Sequence, residues 1–483
     1  MITRNIMEEL QKWRLQKSRK PLVLRGARQV GKTTAVNIFG ASFKQYIYLN
    51  LELPADRKPF EEFTDLETLV QTLFFFKNKQ VSEKAHTLIF IDEIQEIPEA
   101  LNLMRYFYEL EPKIAVIAAG SMLETVFNKH INFPVGRVEY KVLRPVSFSE
   151  FLSAINETVA LEEFNKMPLN NYALDKLLKL FHTYAIIGGM PEIVNQYSVN
   201  RDLTGLAPIY DSLLNSYLED VEKYADSDAE IKQLRHAIRA SFLLATKRIK
   251  FEGFGNSSYR SREMGEALRI LEKTFLIQLI YPATDIKLPL IPNIKKSPRM
   301  QVLDTGLYNY NAGIQKEIIG TQDLNEIQQG AIIEHLTGQE ILSTQYNALS
   351  HLDFWTREKN TSSAEVDYLY TYEGKLIPVE VKSGAQGKLK SLHLFMEEAP
   401  HKMAIRLYAG QLKITQSTTP AGKTYHLLNL PYFLASKIES YLNWFEKKIM
   451  VKKEKSPVTK KKTVKKTVVK KTVVKKKVIK KQK

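Results

Sequence analysis

The chain has 483 residues, of which 44% are hydrophobic and 25% are charged, and it contains no cysteine. This length predicts several domains, because a domain usually holds about 100 to 200 residues. The composition excludes a largely disordered or fibrous chain, and the missing cysteine excludes disulfides, a thiol nucleophile and cysteine-bound zinc. No apolar run reaches the roughly eighteen residues of a membrane span, and residues 1–20 lack the apolar core of a secretory signal. We therefore expect a cytoplasmic protein.

The net charge of +17 is concentrated at the C-terminal end. Residues 451–483 contain 16 Lys and one acid, Glu454, a charge of +15, which leaves +2 for the other 450 residues. The repeated KKTVV-like unit has no aromatic residue, and this composition predicts a disordered, Lys-rich tail. Such a polycation attracts the phosphates of nucleic acid by counterion release. A solubilising tail and an anionic membrane surface are the alternatives.

The most specific motif follows a short apolar run at residues 21–24. It fits GxxxxGK[ST] without a mismatch and consists of Gly26, Ala27, Arg28, Gln29, Val30, Gly31, Lys32, Thr33 and Thr34. In a loop between a strand and a helix, such residues surround a phosphate with backbone N–H groups at the positive end of the helix. We expect Lys32 at the β and γ phosphates of ATP and Thr33 at Mg²⁺.

The apolar run at residues 87–91 is typical of a strand buried on both faces of a parallel sheet. It ends in Asp92 and Glu93, which would lie beside the phosphate-binding loop. Asp92 is the candidate ligand for Mg²⁺, through water, and Glu93 is the candidate residue that orients or deprotonates the attacking water. These residues predict ATP hydrolysis.

Two further residues are candidates for the same reaction. Ser121 follows a third apolar strand at residues 114–119, where it would contact the γ-phosphate or the attacking water, although Gly-Ser is also a common turn pair. Arg137 is a candidate for stabilising the transition state, within the chain or across a subunit interface. The alternative for Arg137 is an ordinary surface arginine.

Several segments together resemble a known family. They are the loop at residues 26–34, IDEIQEIP at 91–98, AGS at 119–121, GR at 136–137, PVSFSEF at 145–151 and GGMPE at 188–192. Over roughly residues 1–430 the chain is similar to prokaryotic AAA+ ATPases that carry a C-terminal domain of unknown function, DUF4143. The resemblance implies an ATPase domain that uses ATP and Mg²⁺.

The middle of the chain is helical in pattern and contains a basic stretch. A predicted helix at residues 259–273 carries Arg260, Arg262, Arg269 and Lys273, and an apolar strand follows it. Helix, turn, basic helix and strand is the order of a winged helix, whose basic helix would enter the major groove of DNA. A solvated packing helix is the alternative.

The last folded third contains a second candidate site. Glu380 and Lys382 share one face of a predicted strand, because alternate strand residues point the same way, and Asp367 lies on the preceding strand of a predicted hairpin. Hydrolysis of a phosphodiester requires carboxylates that hold Mg²⁺ and a Lys that activates water, and Glu334 from a helix would complete the metal shell. The arrangement resembles the PD-(D/E)xK nuclease fold, and DTGL at 304–307 also fits the family. An active nuclease, a fold that binds DNA or an ion without cutting, and coincidence all stay open.

These patterns predict an α/β protein of four parts. They are a P-loop AAA+ ATPase domain with a helical lid at 1–200, a winged-helix-like segment at 201–296, a nuclease-like α/β domain at 297–441, and the terminal helix end with the Lys-rich tail at 442–483. The predicted function is ATP binding and hydrolysis in a protein that acts on DNA, with nucleotide state controlling the C-terminal domain. The alternative is an ATP-dependent switch or sensor whose C-terminal domain binds a protein partner without cleaving DNA. Either function is compatible with a homo-oligomer.

Overall fold

The computed structural model describes residues 2–63, 65–120, 136–315, 329–359, 362–384 and 389–454. Residues 1–442 form one compact unit and residues 443–483 a second. The sequence that carries the predicted Lys-rich tail from residue 455 onward lies outside the described residues. Within the described ranges, every helix is too short or too polar to cross a bilayer.

The first sheet contains five parallel strands in the order β2-β3-β4-β1-β5. They are β1 (Leu22–Arg25), β2 (Gln45–Asn50), β3 (Thr87–Asp92), β4 (Ala115–Ala119) and β5 (Glu139–Val142). Every residue of β1, β3 and β4 is buried, which explains why these strands read as continuous apolar runs. The sheet confirms the predicted P-loop α/β class.

Helices cover both faces of this sheet. They are α1 (Ile6–Arg14), α2 (Lys32–Gly40), α3 (Pro54–Glu62), α4 (Leu66–Phe76) and α5 (Pro98–Leu110). Alternate residues of β3 point to opposite faces. Leu88 and Phe90 pack in one apolar cluster with residues of α1 and α2, whereas Ile89 and Ile91 pack in another with residues of α4 and α5.

A helical region follows, and it ends in three short strands. The helices are α6 (Phe148–Ala154), α7 (Thr158–Asn165), α8 (Leu174–Ile187), α9 (Pro191–Asn200), α10 (Ala207–Asp220), α11 (Asp228–Leu243) and α12 (Ser261–Lys273). The strands are β6 (Ile277–Ile280), β7 (Pro282–Ala283) and β8 (Arg299–Val302). Strands β6 and β8 pair antiparallel after α12. The predicted order of helix, basic helix and strand therefore occurs, and contact with DNA stays a prediction.

The second sheet has seven described strands in the order β13-β14-β12-β11-β10-β9-β7. The strands after β8 are β9 (Asp353–Lys359), β10 (Ser362–Tyr372), β11 (Lys375–Val381), β12 (Met403–Tyr408), β13 (Lys413–Thr418) and β14 (Thr424–Pro431). The remaining helices are α13 (Thr305–Asn311), α14 (Gln329–Ser343), α15 (Lys390–Glu398) and α16 (Ile438–Glu454). Strands β10 and β11 form the predicted antiparallel hairpin, and β11 pairs parallel with β12.

Helix α14 attaches the second sheet's region to the N-terminal half of the chain. The buried carboxylate of Glu340 accepts hydrogen bonds from the backbone N–H of Phe148, at 2.8 Å, and from the hydroxyl of Tyr184, at 3.1 Å. Gln339 donates through Nε2 to the Tyr184 oxygen at 3.2 Å and to Asp304 at 3.3 Å. These bonds satisfy buried polar groups that would be costly to leave unpaired.

A close backbone approach reinforces this attachment. Asp304 caps α13 by accepting from the N–H of Leu307 at 3.2 Å, and its other oxygen accepts from the N–H of Gly189 at 2.6 Å. A Cβ atom added at Gly306 would lie 2.1 Å from the carbonyl oxygen of Ile187, and one at Gly188 would lie 2.2 Å from Asp304 Oδ1. Glycine is required at both positions because any side chain would collide.

We predict that Glu340 makes the protein less stable as the pH rises. Burial raises the pKa of Glu340 to about 7, so between about pH 4.5 and 7 the folded chain keeps a proton that the unfolded chain has released. Glu340→Gln removes this titration and keeps an acceptor oxygen. Relative to wild type, the variant should gain up to about 3 kcal/mol of stability between pH 5 and 8. Melting temperatures across that range measure the gain.

The control for this prediction is Glu67→Gln, which removes an exposed carboxylate from α4. The Glu340 prediction is wrong if both variants differ from wild type by the same amount at every pH. It is also wrong if the difference for Glu340→Gln shrinks as the pH rises.

Candidate functional site

The loop between β1 and α2 has a shape that only glycine permits at one position. Gly26 has a φ of 140°, and a Cβ atom there would lie 2.2 Å from the carbonyl oxygen of Leu143. Gly31 has a φ of 92° and precedes α2, which begins at Lys32. The loop therefore brings backbone N–H groups and a helix N-terminus to one place, as the motif predicts.

Lys32 lies inside this loop and is buried. Its ammonium donates hydrogen bonds to the carbonyl oxygens of Gly26, at 2.9 Å, and Ala27, at 2.8 Å. Burial lowers the pKa of Lys32 to about 8, against the opposing effect of the Glu93 and Asp92 carboxylates. The cation is thus held by neutral carbonyl groups, and phosphate oxygens would be stronger partners for it.

The two predicted Mg²⁺ ligands are in direct contact, although the chain separates them by 59 residues. The hydroxyl of Thr33 donates to Asp92 Oδ2 at 2.7 Å, and the other oxygen of Asp92 accepts from the N–H of Glu93 at 3.1 Å. The Tyr48 hydroxyl also approaches Asp92 Oδ2, at 3.4 Å. Burial raises the pKa of Asp92. Tyr48 lies on the neighbouring strand β2, and no sequence motif indicated it.

A cavity of about 740 Å³ opens between the loop and α9. Lys32, Thr33 and Glu93 line one side of it, and Pro191 and Glu192 from the start of α9 line the other. The loop residues Arg28, Gln29, Gly31 and Thr34 complete the same wall. Glu93 is held by Gln95, whose Nε2 donates to it at 2.6 Å. A phosphate-binding loop, a buried ammonium and a hydroxyl beside a carboxylate fit ATP with Mg²⁺.

Two contacts from distant parts of the chain fix the loop, and the sequence motifs did not indicate either. Arg28 pairs with Asp220, at the end of α10, at 2.5 Å between Nη1 and Oδ1. Arg4 donates to the carbonyl oxygen of Val30 at 2.8 Å and pairs with Glu150 at 3.2 Å. The loop is therefore held by the N-terminal residues and by the helical region.

The remaining candidates for the ATP reaction do not join this group in the described structure. Ser121 lies outside the described residues. Arg137 pairs through Nε with Glu109 at 2.8 Å, has 42% of its side chain exposed, and does not line the cavity. A role for Arg137 across a subunit interface stays a prediction.

The second candidate site brings the predicted residues together around an arginine that the sequence analysis missed. Arg299, on β8, pairs with both Glu334 and Glu365, and it donates to the backbone oxygen of Asp367 at 3.0 Å. Glu365 lies two residues before Asp367 on β10. Because alternate strand residues point to the same face, the sequence could have predicted that Glu365 lies beside Asp367. No sequence pattern indicated that Arg299, in a strand of four residues, is buried.

The other predicted residues of this site have partners within the chain, although Glu380 Oε2 is buried without a hydrogen bond in the described structure. Asp367 accepts from the N–H of Val381 at 2.7 Å, and Lys382 pairs with Glu380 at 2.6 Å. Burial raises the pKa of Glu334 to about 8 and that of Glu380 to about 7. Among the residues that the structure describes, no three acidic or histidine side chains are arranged to hold a metal ion. The predicted three-acid site for Mg²⁺ is therefore not assembled, because Arg299 engages Glu334.

Comparison with family models gives three matches along the chain. A model described as an AAA domain matches residues 18–152, a domain of unknown function, DUF8612, matches residues 178–318, and another, DUF4143, matches residues 329–433. No curated protein matches the chain.

Several solved structures are similar to the chain at low identity. The Walker-type ATPase of Pyrococcus abyssi is 16% identical, with 64% of this chain and 96% of that chain covered and a TM-score of 0.41. Cdc6p from Pyrobaculum aerophilum is 13% identical, with coverages of 65% and 94% and a TM-score of 0.24. Drosophila ORC bound to DNA is 13% identical, with coverages of 64% and 94% and a TM-score of 0.24.

The family matches confirm the resemblance that the sequence motifs carry. The AAA match contains the phosphate-binding loop and the pair Asp92 and Glu93, and the DUF4143 match contains Asp367 and Glu380. The chain therefore contains a region similar to AAA domains at residues 18–152 and a C-terminal region similar to DUF4143 domains at residues 329–433.

Proposed function

We propose that this protein binds and hydrolyses ATP and acts on DNA, and that nucleotide state controls its C-terminal region. The observation that carries the ATPase proposal is the contact between Thr33 and Asp92 beside the buried ammonium of Lys32, in a cavity that Glu93 also lines. Each of these groups has a role in phosphoryl transfer to water.

The roles follow from the positions of the side chains. Lys32 and the N-terminus of α2 would bind the phosphates, and Thr33 and, through water, Asp92 would hold Mg²⁺, whose charge would offset that of the phosphates. Glu93, steadied by Gln95, orients the attacking water and accepts its proton. Because Arg28 is held by Asp220, the helical region contacts the loop that carries the nucleotide.

Lys32→Ala is expected to lower ATP hydrolysis by roughly a hundredfold or more, because it removes the cation that stabilises the transferred phosphoryl group. Release of inorganic phosphate from ATP and Mg²⁺ measures this. The control is Lys44→Ala, which removes an exposed Lys from the same domain. Normal turnover by Lys32→Ala would overturn the ATPase proposal.

The proposal that DNA is the target rests on charge. Helix α12 buries Met264 and Leu268, while Arg260, Arg262 and Arg269 are exposed. The same face also exposes Glu263 and Glu266, and Arg262 pairs with Glu266 at 3.1 Å, so these acids offset part of the positive charge. The helix precedes the antiparallel pair of β6 and β8, which is the order of a winged helix. The Lys-rich sequence beyond residue 451 adds a charge of +15 that attracts any polyanion.

A truncated chain of residues 1–451 separates the two sources of charge. We expect it to bind duplex DNA with an affinity that falls steeply with salt concentration. Arg260→Gln with Arg269→Gln should reduce the slope of log affinity against log salt by about two, since each lost phosphate contact removes about 0.9. Fluorescence anisotropy at several salt concentrations measures the slope.

The control for the DNA prediction is Lys12→Gln with Lys58→Gln, which removes two exposed cations from the N-terminal domain. Loss of all binding on truncation would mean that the tail alone holds DNA, and it would favour the switch that binds a protein partner. An unchanged slope in the variant of Arg260 and Arg269 would mean that DNA binds another surface of residues 1–451.

The proposal that nucleotide state controls the C-terminal region rests on one chain of contacts. Pro191, at the start of α9, faces Gly31 across the cavity, and a Cβ atom at Gly31 would lie 3.6 Å from Pro191 Cγ. Two residues earlier, Gly189 bonds to Asp304, and Asp304 bonds to Gln339 on α14. A ligand that moves α9 would therefore act on α14.

Asp304→Ala is expected to uncouple the nucleotide cavity from helix α14 and the C-terminal region. In the wild type, a non-hydrolysable ATP analogue should change DNA affinity by roughly fivefold to a hundredfold, the usual range of coupling between sites. The variant should lose most of this change, because the Gly189 N–H loses its acceptor. The control is Asp65→Ala, which removes an exposed cap from α4. Full coupling in folded Asp304→Ala protein, checked by its melting curve, would contradict the proposed route.

A further inference from the structure

Arg299 occupies the centre of the acidic cluster in the DUF4143 domain. The cluster consists of Glu334, Glu365, Asp367 and Glu380, and its cations are Arg299 and Lys382. The arginine side chain is 3% exposed, and its two terminal nitrogens engage Glu334, Glu365 and the backbone oxygen of Asp367. A charge buried to this extent is stable only when it is paired, and here it is paired twice.

Aromatic rings fix the guanidinium in place as well. Its carbon lies 4.4 Å from the centroid of Phe354 and 5.9 Å from that of Tyr368. Tyr368 in turn donates its hydroxyl hydrogen to the backbone oxygen of Glu334 at 2.7 Å. The ring contacts and the ion pairs therefore act on the same side chains, and Arg299 has little freedom to leave the acids.

The helix that carries Glu334 is also restrained. One turn or so along α14, Gln339 and Glu340 are bonded to Asp304, Tyr184 and the backbone of Phe148. Moving Glu334 away from Arg299 would require α14 to shift against these buried bonds. Helix α14 therefore keeps Glu334, the third acid of the predicted metal site, paired with Arg299.

We infer that Arg299 acts as the internal cation of this cluster and excludes a divalent metal ion from it. The guanidinium engages the carboxylate of Glu334, the third acid of the predicted metal site, and its positive charge repels a metal ion that would approach Asp367 and Glu380 beside it. Pairing of Arg299 with Glu334 and ligation of Mg²⁺ or Mn²⁺ by Glu334 are therefore mutually exclusive. In the wild-type chain the cluster is an ion-paired structure and has no metal site.

The experiment is a titration of the nucleotide-free full chain with Mn²⁺, followed by electron paramagnetic resonance of the free ion. The single variant Asp367→Asn should bind the same number of Mn²⁺ ions as the wild type, because the wild-type cluster holds none. Arg299→Met, which keeps length and removes the charge, should bind one further Mn²⁺ ion. Adding Asp367→Asn to Arg299→Met should abolish that extra ion. Arg299→Lys keeps the charge and should bind no more Mn²⁺ than the wild type.

Two results would overturn the inference. The first is a Mn²⁺ ion in the wild type that Asp367→Asn removes, and this result needs no Arg299 variant to fold. The second is Arg299→Met protein that melts cooperatively yet gains no ion. The ATPase rates of the same variants are independent of both results, because Lys32, Thr33 and Asp92 are untouched.

Discussion

The bond between Asp304 and the N–H of Gly189 is the contact on which the relation between the two halves depends. Burial raises the pKa of Asp304 to about 6, while the N–H groups that it accepts from oppose the rise. The bond forms only because Gly188 and Gly306 let two backbones approach more closely than any side chain permits. A carboxylate placed here caps α13 and anchors the turn before α9 at once. The side chain of Asp304 thus stabilises both the start of α13 and the turn before α9, which lines the cavity.

Helix α14 extends this relation to the second sheet. Gln339 and Glu340 face the N-terminal half, whereas Glu334 faces Arg299 in the acidic cluster. The helix is short, so a displacement at one end must appear at the other, since packed helices move as rigid elements. Any effect of nucleotide on the DUF4143 domain is expected to pass through this helix. The same rigidity holds Glu334 on its arginine, so the proposed coupling and the proposed closure of the cluster would have one physical origin.

The sequence could predict the parts of the site that are formed by residues close together in the chain. The phosphate-binding loop is nine consecutive residues, and the pair Asp92 and Glu93 directly follows an apolar run, so the motif and the hydrophobic pattern were sufficient to predict both. Contacts such as Arg28 with Asp220, and Arg299 with Glu334, join residues on different elements. The hydrophobic periodicity of a helix does not predict which loop or strand the helix contacts. Three acids of the second site, Glu334, Asp367 and Glu380, were predicted from the sequence, whereas Glu365 and the arginine that pairs with it were not.

The two candidate sites differ in how their central cation is satisfied. Within the described residues, Lys32 makes hydrogen bonds to backbone carbonyls and no ion pair, so a polyanionic ligand gives it stronger partners than it has. Arg299 already has two carboxylates and aromatic rings, so a ligand there must first replace bonds that the chain makes with itself. Under the proposed function, the first site receives phosphates, and under the inference on Arg299 the second stays closed to a metal ion. Chemistry in this chain is then expected at the P-loop, and the DUF4143 domain would contribute a surface whose position the nucleotide sets.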